Sequence, residues 1–110
     1  MTTFAIAHLT SVTLGQPIVD YLRGIDATLA PFGGRFIIHG GKPTMLEGEW
    51  AGDLIVIAFP DRAAAEGWYA SPAYAAILPL RRGNAEGPVM LIDGVGPDHR
   101  ATDVLTPANA

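Results

Sequence analysis

Apolar and polar positions along this chain fall into two similar halves. Phe4 to Leu9 reads FAIAHL, an apolar run interrupted once by His8, and predicts a short strand covered on both faces. Pro17 suits the first turn of a helix, where a missing N–H has no partner to lose. Ile18, Leu22, Ile25 and Leu29 then recur at helical steps, which sets one apolar stripe along that helix. Ala30-Pro31 stops it. Gly33-Gly34 permits a tight turn into a second strand, Arg35 to His39, and a further pair, Gly40-Gly41, follows. Lys42 to Asp53 carries Met45, Leu46 and Trp50 among Glu47, Gly48 and Glu49, a hairpin arm expected to extend the strands at the domain's edge. The order then repeats. Leu54 to Phe59 (LIVIAF) is the most strongly β-prone segment. Pro60-Asp61 ends it, with Asp61 placed to cap a helix over Arg62 to Tyr69. Ser71-Pro72 restarts a helix with a capping serine and a proline at its first position, and Pro79 is expected to break or close it. Val89 to Ile92 predicts the fourth strand.

Two strand–helix–strand halves make a βαββαβ domain, an α+β fold with a four-stranded antiparallel sheet and both helices on one face. The other face stays bare, and it is not polar: Ala5, Ala7 and Leu9 alternate with Phe4 and Ile6, while Ile55 and Ile57 alternate with Leu54, Val56 and Ala58. An uncovered face of that kind exceeds the roughly 300 to 600 Å² apolar patch of an ordinary monomer. Closure by a second copy removes it, so a homodimer enclosing a cavity is the expectation. Residues 1–96 form the domain, and 97–110, rich in proline and polar residues, read as a loose tail.

Composition narrows the function classes. In 110 residues, 49% are apolar and 16% charged, against about 25% charged in a typical domain. This is one domain with more surface to hide than it can hide alone. Without cysteine there is no disulfide framework and no thiolate. A net charge of −4 supplies no basic field for phosphates, which argues against nucleic acid and anionic membranes as partners. The RNA-binding module of the same βαββαβ order needs stacking aromatics and basic residues that Arg35-Phe36-Ile37-Ile38 does not supply. The glycine pairs flank a strand rather than open a helix, so they are turn glycines and not a phosphate loop. The beginning Met1-Thr2-Thr3-Phe4 lacks the character of a signal peptide, and no apolar run approaches membrane-spanning length. A cytoplasmic protein is the default expectation.

Leu29-Ala30-Pro31-Phe32-Gly33-Gly34-Arg35-Phe36, the arm Leu46-Glu47-Gly48-Glu49-Trp50, and the block from Phe59-Pro60-Asp61-Arg62 through Trp68-Tyr69-Ala70-Ser71-Pro72-Ala73-Tyr74 to Pro79-Leu80-Arg81 closely resemble the bacterial family called domain of unknown function 1330. The resemblance covers roughly Phe4 to Val95. It implies a ferredoxin-like fold of the dimeric α/β-barrel group, in which two sheets pack face to face. It implies no activity and no catalytic residues. Relatives in the wider group include cofactor-free monooxygenases, small-lactone isomerases, chlorite-decomposing haem enzymes and stress proteins, and fold alone does not choose among them.

The candidate chemistry therefore comes from the residues themselves. His8 interrupts an apolar strand on the face shared with Phe4 and Ile6. A buried imidazole needs a partner, and it is also the commonest general base near neutral pH. His8 is the candidate catalytic residue, with a satisfied core histidine as the structural alternative; periodicity does not say which face meets the helices. Arg35 and His39 are expected on one face of their strand. Arg35 is a candidate carboxylate clamp or a rim partner of Glu47, Glu49 or Asp93. Trp68, Ser71 and Tyr74, with Tyr69, cluster around the break between helical segments. They seal a core or form the mouth of a pocket, where Tyr74 and Arg81 would orient a polar ligand. Arg81 and Arg82 also suit a helix C-terminus. His8, His39 and His99 lack metal-ligand spacing, so neither metal nor cofactor is expected.

Two function classes follow. One is a cofactor-independent enzyme of isomerase, lyase or monooxygenase type, or a binding protein, that takes a small acidic or aromatic molecule into a pocket of each subunit. The other is a non-catalytic structural or stress-associated dimer whose polar residues satisfy only one another. A ligand-sized pocket lined by His8 is the discriminating observation.

Overall fold

Thr3–Leu9 forms the central strand β1, and its alternation decides the architecture. Its odd-numbered residues face the helices and its even-numbered residues face away. A computed structural model describes residues 1–105; the end of the expected tail, 106–110, lies outside the described residues. After β1 come a short strand β2 (Ser11–Val12), helix α1 (Gln16–Leu29), strand β3 (Arg35–His39), strand β4 (Asp53–Phe59), helices α2 (Arg62–Tyr69) and α3 (Pro72–Arg82), a short strand β5 (Ala85–Glu86) and strand β6 (Val89–Asp93). The main sheet has the order β3-β4-β1-β6 and is antiparallel throughout, while β2 pairs with β5 in a separate two-stranded ribbon. This is the ferredoxin-like α+β arrangement, with the helices on one face of the sheet.

The register arranges the sheet into rows. On the helix-facing side, Ile57, Ala5 and Leu91 lie abreast, and Ile55, Ala7 and Val89 form the next row. On the outer side the rows are Ala58, Phe4 and Ile92, then Val56, Ile6 and Met90. Ile38, Met90 and Ile92 are all more than 40% exposed, so within one chain the outer face is open, as the βαββαβ layout predicts.

Helix α1 buries Ile18, Tyr21, Ile25, Thr28 and Leu29. The expected stripe holds at Ile18, Ile25 and Leu29, but Tyr21 takes the place of Leu22: Tyr21 is 8% exposed and Leu22 is 44% exposed. Both satisfy helical spacing, and the buried hydroxyl partner available to Tyr21 decides between them. Gly24 allows the close approach of α3, since a Cβ there would meet Ile77 Cγ2 at 3.3 Å. Leu29, Ile25, Phe59, Ala65, Trp68 and Tyr74 complete the core.

The local signals at the helix starts act as their residue types require. Asp61 accepts from Ala64 N at 2.8 Å and Ser71 from Tyr74 N at 3.2 Å, each satisfying a first-turn N–H that has no partner within the helix. Pro79 does not end α3, which runs on to Arg82; the proline forgoes a single backbone hydrogen bond there. Nor does the arm extend the sheet. Residues 41–52 carry no regular secondary structure, and β4 begins at Asp53. The tail includes a short 3-10 turn at Ala101–Leu105.

Candidate functional site

Ala5 and Ala7 sit at the centre of the two helix-facing rows, flanked by Ile57 and Ile55 on one side and Leu91 and Val89 on the other. Where longer side chains would meet α1 and α3, these two methyl groups leave room. A cavity of about 290 Å³ occupies it, a size at the lower end of small-molecule pockets. The walls are mostly apolar or aromatic: Ile18 and Leu22 from α1, Phe36 from β3, and Trp68 and Tyr69 from α2.

The polar end is built where α1 meets α3. Tyr21 and Tyr74 place their hydroxyls 2.7 Å apart with the rings edge to face. Arg81, two turns along α3, also lines the cavity, with its charge near both hydroxyls. Burial pushes the Tyr21 phenol far above the usual tyrosine range; Tyr74 adds to that effect and Arg81 opposes it. Tyr21 therefore stays a neutral hydroxyl under physiological conditions. Burial works against the charge of Arg81, but Tyr74 and Tyr21 outweigh it and the net direction is upward. Arg81 is a cation at any relevant pH. Among the described residues no carboxylate forms an ion pair with it, and no carboxylate or amide side chain lines the cavity.

Trp68 is fixed by its polar edge. Its Nε1 donates to Thr28 Oγ1 at 3.0 Å, and that hydroxyl donates to Ile25 O at 2.7 Å. The indole lies 4.1 Å from the Tyr74 ring centroid and 5.3 Å from that of Phe59.

Trp68, Tyr74 and Arg81, three of the residues singled out from the sequence, thus meet at one cavity. Ser71 is buried beside them without lining it: its hydroxyl donates to Trp68 O at 2.7 Å while accepting from Tyr74 N. Its work is to join α2 to α3.

His8 and Arg35 lie elsewhere. Pleat parity puts His8 on the outer face, where Nε2 donates to Ala51 O at 2.8 Å and the ring stacks on Trp50 at 4.2 Å. It does not reach the cavity and holds the arm against the sheet instead. Arg35 stands exposed opposite Ala58 on that same outer side. Asp93, one of its expected partners, is taken by Arg62 at 3.1 Å and by Thr3 Oγ1 at 2.7 Å.

His39 reverses an expectation. Strict alternation puts it on the face of Arg35, but the pairing of β3 with β4 shifts between Phe36 and Ile38. Ile38 then sits opposite Val56 and His39 opposite Ile55, so His39 turns to the helix side. There it stacks on Phe36, with centroids 4.3 Å apart and planes 15° apart, and lines the cavity. Tyr21 is a further polar lining residue that the pattern does not single out. Its one available signal was the Tyr at a position four before Ile25, on the stripe's margin.

Solved structures share this fold. A protein of unknown function from Rhodopseudomonas palustris is similar at 16% identity and a TM-score of 0.64, over 87% of this chain and 84% of that one. A dimeric ferredoxin-like protein of unknown function from Jannaschia sp. CCS1 is similar at 12% identity and a TM-score of 0.64, over 86% of this chain and 100% of that one. SnoaB, a cofactor-independent oxygenase from Streptomyces nogalater, is similar at 15% identity and a TM-score of 0.58, over 90% of this chain and 98% of that one. At such identities the likeness is one of fold. No functionally curated protein matches the chain. Residues 2–95, from before β1 to beyond β6, match the family described as Domain of unknown function (DUF1330), and the chain belongs to it.

Proposed function

We propose that the protein binds, and without a cofactor transforms, a small acidic or aromatic molecule in the cavity between sheet and helices. The observation that supports this is an apolar, ring-lined cavity with one polar end, at which Arg81 carries an unpaired charge beside the Tyr21 and Tyr74 hydroxyls. In the tyrosine pair one hydroxyl donates to the other, which leaves the second O–H free. With the guanidinium, that end offers donors and positive charge, the complement of a carboxylate or another oxygen anion. Aromatic walls accept a flat ring. Chemistry without a resident cofactor agrees with what SnoaB does on a like fold, although fold alone selects no reaction.

The test is a fluorescence titration read on Trp68, in a Trp50→Phe background, with naphthoate and with methylnaphthalene. Naphthoate binds at least about tenfold tighter, the size of a charge-assisted hydrogen bond, and Arg81→Met removes the difference. If neither compound binds, the ligand reading fails and the non-catalytic structural or stress-associated dimer takes its place.

The working unit is proposed to be a homodimer that closes over the outer sheet face. Phe4, Ile6, Ile38, Met90 and Ile92 make that face apolar, and open apolar sheet surface is unfavourable in water.

A further inference from the structure

The bulge in β3 places a base in the cavity. We propose that His39 is the proton acceptor of this site and that the reaction class is proton abstraction next to a carbonyl group, the resulting enolate oxygen being held by Arg81 and the tyrosine hydroxyls. The inference rests on the cavity reading above and deepens it.

Three observations carry it. The first is the register shift between Phe36 and Ile38, which moves His39 from the outer face to the row of Ile55 and Ala7. Bulges recur where a strand must aim one side chain at a site, and without this one the cavity would contain no imidazole. The second is the composition of the lining. Beside His39, its polar side chains are the Arg81 cation, the phenols of Tyr21, Tyr69 and Tyr74, of which Tyr21 is held neutral by burial, and the Trp68 indole, which is engaged with Thr28. Among them an imidazole is the one group type that ordinarily takes up a proton near neutrality. The third is that the ring of His39 is positioned by stacking on Phe36, and among the described residues no hydrogen bond occupies its nitrogens. His8, by contrast, has its Nε2 committed to a backbone carbonyl.

These parts divide the work of an enolisation. The imidazole nitrogen takes the proton from the carbon next to the carbonyl: the C–H bond breaks and an N–H bond forms. The electron pair moves onto the carbonyl oxygen, which becomes an enolate oxygen. Arg81 N–H and the free tyrosine O–H donate to that oxygen more strongly as its charge grows, which lowers the barrier rather than only the energy of binding. The reaction ends when the imidazolium returns a proton to the same carbon or a conjugated one. Because His39 is solvent-exposed, its acquired proton exchanges with water before it returns.

Indanone in deuterium oxide is the probe, with incorporation of deuterium beside the carbonyl followed by NMR and naphthoate binding measured on the same preparations. The wild-type protein exchanges the probe well above the buffer rate. His39→Gln loses about 10²- to 10⁴-fold of that acceleration, the usual contribution of a general base, and still binds naphthoate. Arg81→Met loses the accelerated exchange and binds naphthoate no tighter than methylnaphthalene. Naphthoate binding without accelerated exchange, or exchange that persists in His39→Gln, overturns the assignment of His39 and leaves the cavity reading in place. Loss of naphthoate binding in the wild type overturns both.

Discussion

The Tyr21 and Tyr74 hydroxyls meet at 2.7 Å across the seam of α1 and α3, so one hydrogen bond both closes the helical layer and forms the polar end of the cavity. The two roles separate by mutation. Tyr74→Phe removes the bond and one cavity donor, and it is expected to destabilise the fold by about 1 kcal/mol while weakening naphthoate by several fold. Chemical denaturation and the Trp68 titration read the two effects independently. A binding loss with no stability loss would mean that Tyr21 finds another partner.

Tyr21 also sets an alkaline limit. Burial raises its folded-state pKa beyond the usual tyrosine range, whereas in the unfolded chain the phenol ionises near pH 10. The raised value contributes stability that is fully present below about pH 10 and is lost as pH rises above it, because the unfolded chain releases the proton that the folded one keeps. Tyr21→Phe should therefore flatten the fall in stability above about pH 10. Denaturant midpoints across that range supply the check, and equal slopes in both proteins would contradict it.

Ala7 tests the cavity from the sheet side. Its methyl lies between Ile55 and Val89 under the helices. Ala7→Phe fills empty space instead of displacing packed atoms, so the expected outcome is a folded protein with near-native far-UV circular dichroism and no naphthoate binding. Undiminished binding would locate the ligand elsewhere.

The parts of this architecture that sequence made legible are the local ones. Period-two and helical spacing placed the four sheet strands and the helices, and Asp61 and Ser71 announced their caps because an N-cap depends on residues three positions away. The site is non-local and therefore less legible in the sequence. The face of His8 was fixed by parity, but which face bears helices is decided by α1 and α3. His39 changed faces because β3 slips against β4, a property of the pair and not of Arg35 to His39. Tyr21 and Leu22 fit the stripe equally well by spacing, and a hydroxyl 53 residues away chose between them. Arg81 could be seen as a helix-end cation, whereas its lack of a counter-ion needed the neighbours in place.

Gly34 is expected to be intolerant of any side chain. A Cβ there would lie 2.6 Å from Phe59 Cε1 and 2.9 Å from Leu29 Cδ2, and both of those side chains are at most 2% exposed. The ring has nowhere to move. Gly34→Ala should cost about 1–3 kcal/mol, the range for overpacking a filled core, as measured by urea denaturation. A neutral result would mean that the turn after α1 can shift away from β4.

The outer sheet face carries the last prediction. Ile6 lies at its centre, between Val56 and Met90. A lysine at this position would face its own symmetry mate or an apolar partner surface, and burying that charge without a counter-ion costs several kcal/mol. In the monomer the same side chain reaches water. Ile6→Lys is therefore expected to shift native mass spectra from twice the 11.6 kDa chain mass to the single chain while leaving the secondary structure intact. If the variant stays dimeric, the contact lies on the helices or the β2–β5 ribbon, and the apolar rows of Phe4, Ile6, Met90 and Ile92 must be covered by something other than a second copy.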